Sequence, residues 1–111
     1  MKFTNGSIVG TLNALATMAD IEFPVQVAYA IKKNHRKLVA EYKDYEEQLE
    51  VLKEKYPERD KSKEYMSDLQ TLLDIEVDID IHKLDESVFT NGVFNITAKQ
   101  LEIMEFMIEI E

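Results

Sequence analysis

The stretch PVQVAYAIKKNHRKLVAEYKDYEEQLEVLKEKYP, residues 24–57, decides the architecture. Proline bounds it at both ends, and neither proline nor glycine interrupts it. Proline disfavours helical geometry in the residue before it but fits the first turn of a helix, so the stretch reads as one helix from Pro24 to just before Pro57. Along it Ala28, Ile31, His35, Leu38, Tyr42, Tyr45, Leu49, Leu52 and Tyr56 recur at alternating spacings of three and four, the pattern of a coiled-coil seam. At 1.5 Å per residue the helix is roughly 45 to 50 Å long, whereas a compact domain of this size has a radius of gyration of only about 13 Å. It must therefore project from the body or be covered by other segments along its length. His35 stands in the seam, where a polar residue fixes register or oligomeric state. The seam favours a homodimer over a monomer.

Working outward, Tyr56-Pro57-Glu58-Arg59-Asp60 is a charged turn, and Tyr65, Leu69 and Leu72 mark a second helical stripe ending near Leu73. So short a connection predicts an antiparallel hairpin on the C-terminal half of the long helix. The N-terminal half is left for another subunit or for a first helix, whose apolar face is Ile8, Leu12, Leu15 and Ala19 after a turn and cap at Asn5-Gly6-Ser7.

Beyond Leu73 the period changes. Ile75, Val77, Ile79 and Ile81 alternate with Asp74, Glu76, Asp78, Asp80 and His82, which predicts a strand with one apolar face. The tetrapeptide FTNG occurs at residues 3–6 and 89–92. The second copy places Asn91-Gly92 between apolar β-formers, a strong hairpin signal, while the first leads into a helix. The flanks do not match, so the repeat reads as two turns with no shared ligand. Thr97-Ala98-Lys99-Gln100 fits a capping box. Leu101, Met104 and Ile108, widened by Ile103, Phe106, Met107 and Ile110, predict a C-terminal helix whose last turn frays at Glu109 and Glu111.

The 111 residues suffice for a single domain, helical over about 7–73, with strand, hairpin and C-terminal helix over about 74–111. The absence of cysteine excludes a disulfide framework, zinc-thiolate sites and thiol nucleophiles, and favours an intracellular setting. No apolar run approaches the roughly 20 residues that span a bilayer, and the N-terminus lacks the pattern of a signal peptide, so no membrane role is expected. Residues 1–64 carry 11 acidic and 11 basic side chains, so the whole net charge of −9 lies in 65–111, where only Lys83 and Lys99 oppose 11 carboxylates. Such a surface repels a phosphate backbone, and direct DNA binding is not expected.

Asp78, Asp80 and His82 would share one strand face, a spacing that suits divalent ions, but no fourth ligand is evident and a solvated face is the simpler reading. With two histidines in unrelated contexts, no nucleophile motif and no glycine-rich phosphate loop, the chain is not expected to be an enzyme or to carry a cofactor. The concentrated basic patch is Lys32, Lys33, Arg36 and Lys37, with Tyr29 beside it. Its cations at i and i+4 suit a phosphate or an acidic protein surface, a nucleotide included, or else pair with the chain's own acidic part. Glu76, Asp78 and Asp80 form an acidic strand face suited to a basic partner.

The segments AYAIKKNHRKL, YEEQLEVLKEKY, EVDIDIHKL and TAKQLEIMEFMIE, in this order, resemble small proteins encoded by tailed phages and prophages of Gram-positive bacteria. That resemblance carries no catalytic residues. It implies a phage origin, action in the cytoplasm of an infected bacterium, and a binding role.

The expected fold is therefore α+β: a long antiparallel helical hairpin, a small antiparallel sheet around residues 75–82 and 87–96 to which Lys2-Phe3 adds a short strand, and helices at both ends. The expected function is a non-catalytic binding protein acting on a host or phage macromolecule as inhibitor or adaptor, with a protein as partner. Two alternatives are an assembly protein of the virion that oligomerises through the long helix, and a protein that sequesters a nucleotide signal.

Overall fold

The computed structural model describes residues 1–90 and 95–109. In chain order its elements are β1 (Lys2–Thr4), α1 (Asn5–Ala16), α2 (Val25–Lys55), α3 (Lys63–Leu73), β2 (Glu76–Asp78), β3 (Leu84–Asp85), α4 (Ser87–Thr90), α5 (Ala98–Met104) and β4 (Ile108–Glu109), with 3-10 turns at Arg59–Lys61 and Glu105–Met107. The fold is α+β. α2 spans 31 residues, about 46 Å, and sets the long axis of a molecule measuring 53 × 25 × 20 Å. The radius of gyration, 16.9 Å, exceeds the compact value accordingly.

Local chemistry starts most helices where the sequence places them. Ser62 caps α3 by accepting the Tyr65 N–H, and Thr97 and Gln100 form the expected reciprocal box at α5. At α1 the cap falls on Thr4, which exchanges bonds with Ser7, so Asn5 turns inward instead of capping. Its buried amide donates to the Leu72 carbonyl at 2.9 Å, and its backbone N–H donates to Ile75. One side chain thus satisfies a carbonyl at the end of another helix.

The core gathers α1, the N-terminal half of α2, and the C-terminal elements around Ile8, Leu15, Val27, Ala30, Leu38, Ile79, Leu84, Met104 and Met107. α3 returns along the C-terminal half of α2, as a short turn requires. Near the far end of this arm the Tyr56 hydroxyl donates to Asp68 at 2.9 Å, and the Tyr56 and Tyr65 rings meet edge-on. The hydrogen bond to Asp68 holds the Tyr56 phenol above its ordinary pKa, while burial does the same to Tyr45, with Tyr42 and Tyr65 adding to it.

The sheets follow expectation in part: Lys2-Phe3 lies in a strand, and β2 pairs antiparallel with β1, in the register Lys2–Asp78, Phe3–Val77 and Thr4–Glu76. Ser87–Thr90 is helix, not strand, and the Asn91-Gly92 turn lies outside the described residues. The C-terminal helix also stops early, at Met104, and Ile108–Glu109 runs parallel to Leu84–Asp85. Across this change of backbone Met104 and Met107, three positions apart, both enter the core with no exposed surface. The strand is shorter than its alternation predicts, Glu76–Asp78 only; Ile79 and Ile81 beyond its end are still buried, but Ile75, before the β1 pairing, is exposed.

The predicted seam is shifted over its first turns. Val27, Ala30, Asn34 and Leu38 face inward with no exposed surface, while Ala28 and His35 are exposed. From Val27 to Leu38 the chain makes three turns in 11 residues, the spacing of a helix that does not wind leftward around a partner. Asn34, not His35, is the polar residue in the core. Its Nδ2 donates to the His82 carbonyl at 2.9 Å and its Oδ1 accepts the His82 N–H at 2.7 Å, so the carboxamide pairs with a peptide unit as a neighbouring strand would.

Candidate functional site

The N-terminal half of α2 presents a second face to solvent. Val25 is 86% exposed and Tyr29, one turn on, is 57% exposed. Lys32, Lys33 and Arg36 follow at three, four and seven positions from Tyr29, so they sit on the same side of the helix. Together with Tyr29 they line a shallow concavity of about 90 Å³. The ring does not hang free: His82 meets it edge-on at 5.6 Å, and the Lys33 ammonium stands 5.7 Å from its centroid. Such an arrangement fixes the ring and places positive charge over its π-face.

The fourth predicted cation is diverted. Lys37 donates to the Asp80 carbonyl and lies 3.9 Å from the Asp80 carboxylate. Among the described residues the ion pairs include none made by Lys32, Lys33 or Arg36. The acidic strand face is likewise partly engaged. Asp78 accepts a hydrogen bond from the Met1 ammonium at 2.8 Å, which holds its carboxyl below the usual range. Asp80 meets Lys37, and exposed Glu76 stands opposite Thr4 in the sheet. The basic and acidic surfaces, read separately in the sequence, thus join along one line from Arg36 through Lys37 to Asp80.

His82 packs against Tyr29, and among the described residues no cluster of three or more histidines or acids could hold an ion. No helix among the described residues is long and apolar enough to cross a membrane. Of the seam residues, Leu38 is fully buried and Ile31 and Tyr42 pack on the chain's own core, while Tyr45, Leu49 and Leu52 are half-buried along the arm. Sequence reasoning missed Asn34, the residue that ties this part of α2 to His82. The available signal was the spacing Val27-Ala30-Asn34-Leu38, which competes with Ala28-Ile31-His35-Leu38 in the same stretch.

The chain matches no protein-family model, no curated protein and no solved structure.

Proposed function

We propose that this chain is a non-catalytic binding protein that engages an acidic protein surface through the exposed face of α2 formed by Val25, Tyr29, Lys32, Lys33 and Arg36. The observation that carries this reading is three cations around an ordered aromatic ring, joined to an exposed aliphatic residue and drawn into no ion pair among the described residues. Arginine and tyrosine beside an apolar anchor is the composition from which interface hot spots are drawn. Charge there speeds encounter and selects the partner, while Val25 and Tyr29 supply apolar area.

The size of the concavity supports this reading over nucleotide capture. The concavity measures about 90 Å³, whereas pockets that enclose drug-sized ligands run to about 300–1,000 Å³. The resemblance to phage proteins makes a host or phage macromolecule the natural target, with the chain acting as inhibitor or adaptor in the cytoplasm of an infected bacterium.

The test is capture from lysate of a Gram-positive host by the immobilised chain, alongside a K32E/K33E/R36E variant. A partner retained by the parent and lost by the variant is expected. Equal capture by both refutes this face as the contact, and a melting temperature raised by nucleotides would favour the sequestration reading instead.

A further inference from the structure

A second surface has the opposite character. Between α4 and α5 lies a groove of about 360 Å³, floored by Phe89, Leu101 and Ile108 and edged by Glu86, Glu102 and Glu105. All three carboxylates are exposed, and the ion pairs among the described residues include none of them. An apolar hollow ringed by uncompensated negative charge suits an apolar side chain flanked by cations. The α2 face carries that combination, with Val25 and Tyr29 beside Lys32, Lys33 and Arg36.

The two surfaces are neighbours. Tyr29 packs on His82, and Glu86 on the groove's edge is four residues further along, so at most about 14 Å of extended chain separates His82 from Glu86. A second copy turned about a two-fold axis can bring each knob to the other's groove. In that geometry every contact is made twice. We infer that two copies of this chain form an isologous dimer in which Val25 and Tyr29 of each enter the α4–α5 groove of the other, and Lys32, Lys33 and Arg36 pair with Glu86, Glu102 and Glu105. The dimer does not use the predicted seam, of which Leu38 is buried and Ile31 and Tyr42 pack on the chain's own core. It rests on the same α2 face as the proposed partner contact, so the dimer is the form in which that face is covered. A competing partner must then offer what the groove offers, carboxylates around an apolar hollow.

Salt is a poor probe, because it screens both these pairs and the mutual repulsion of two chains of net charge −9. Charge reversal is the sharper test, read as solution mass by light scattering at micromolar and near-millimolar concentration. The parent chain should reach twice its 12.9 kDa. K32E/K33E/R36E and E86K/E102K/E105K should each remain at the single-chain mass, and their equimolar mixture should recover the doubled mass, since each restores opposite charge to the other's surfaces. Tyr29→Ala leaves every charge in place and should weaken self-association about tenfold, as expected for loss of an inserted aromatic anchor. A parent chain that stays single, variants that still dimerise alone, or a mixture that fails to pair would each overturn the inference. Partner capture separates it from the proposed function, because E86K/E102K/E105K keeps the α2 face intact and should still bind a partner after losing self-association.

Discussion

The two halves of α2 are one continuous helix in different surroundings. From Val27 to Leu38 its inward side chains have no exposed surface, because α1 and the C-terminal elements close over them. From Tyr42 to Tyr56 the inward side chains are all half-buried, with α3 as their main cover. The composition follows the surroundings. The first half fills its core with aliphatic residues and one amide whose polar atoms are paired, while the second uses tyrosines, whose hydroxyls reach water or a carboxylate at the edge. A helix this long is held by tertiary packing and not by propensity alone, so the first half anchors it and the second rides on a two-helix arm.

The largest contrast should come from matched truncations. Leu38→Ala is expected to cost about 2–5 kcal/mol in denaturant unfolding, and Leu49→Ala, half-exposed on the arm, about 1 kcal/mol. Equal losses would mean that something further covers the arm in solution. Next comes the shifted register. Asn34→Ala should cost about 1–3 kcal/mol by leaving both His82 backbone groups short of a partner, while His35→Ala should stay within about 0.5 kcal/mol. The reverse order would restore His35 to the core.

A smaller effect concerns the arm's far end. Asp68→Ala removes the acceptor of the hydrogen bond that holds the Tyr56 phenol in its neutral form, so an absorbance titration should show one tyrosine ionising at lower pH than in the parent. The smallest is acid sensitivity near the anchored half. Asp78 is depressed chiefly by its hydrogen bond from the Met1 ammonium, and Asp85 by the Ser87 N–H. Groups depressed in the folded state contribute stability that is complete above the ordinary carboxylate range and is lost as pH falls through their lowered values. The melting temperature should therefore decline as pH drops below about 4, and Asp78→Asn should make that decline shallower.

Much of this contrast is readable from residues. The prolines at 24 and 57 bound α2, and the short turn after Pro57 dictates a return helix. Thr97 and Gln100 announce α5. What cannot be read is pairing at a distance: β2 joins β1, whose residues lie more than 70 positions earlier, and nothing in its own alternation specifies that neighbour over a nearby hairpin. Val88-Phe89-Thr90 favours strand by composition, yet Asp85 caps the turn before it and the segment coils into α4. Such short apolar runs are ambiguous by periodicity alone. At the candidate site the cations were legible as a cluster, but the withdrawal of Lys37 toward Asp80 depends on how the strand crosses the helix.

The Asn34 contact has a kinetic consequence as well as a structural one. His82 lies in no helix or strand, and residues in such connections ordinarily trade amide protons with solvent quickly. Its N–H, however, is held at 2.7 Å by a carboxamide with no exposed surface. Releasing that proton requires α2 to part from the segment carrying His82, so this one amide should exchange with deuterium as slowly as those in the middle of the core helices.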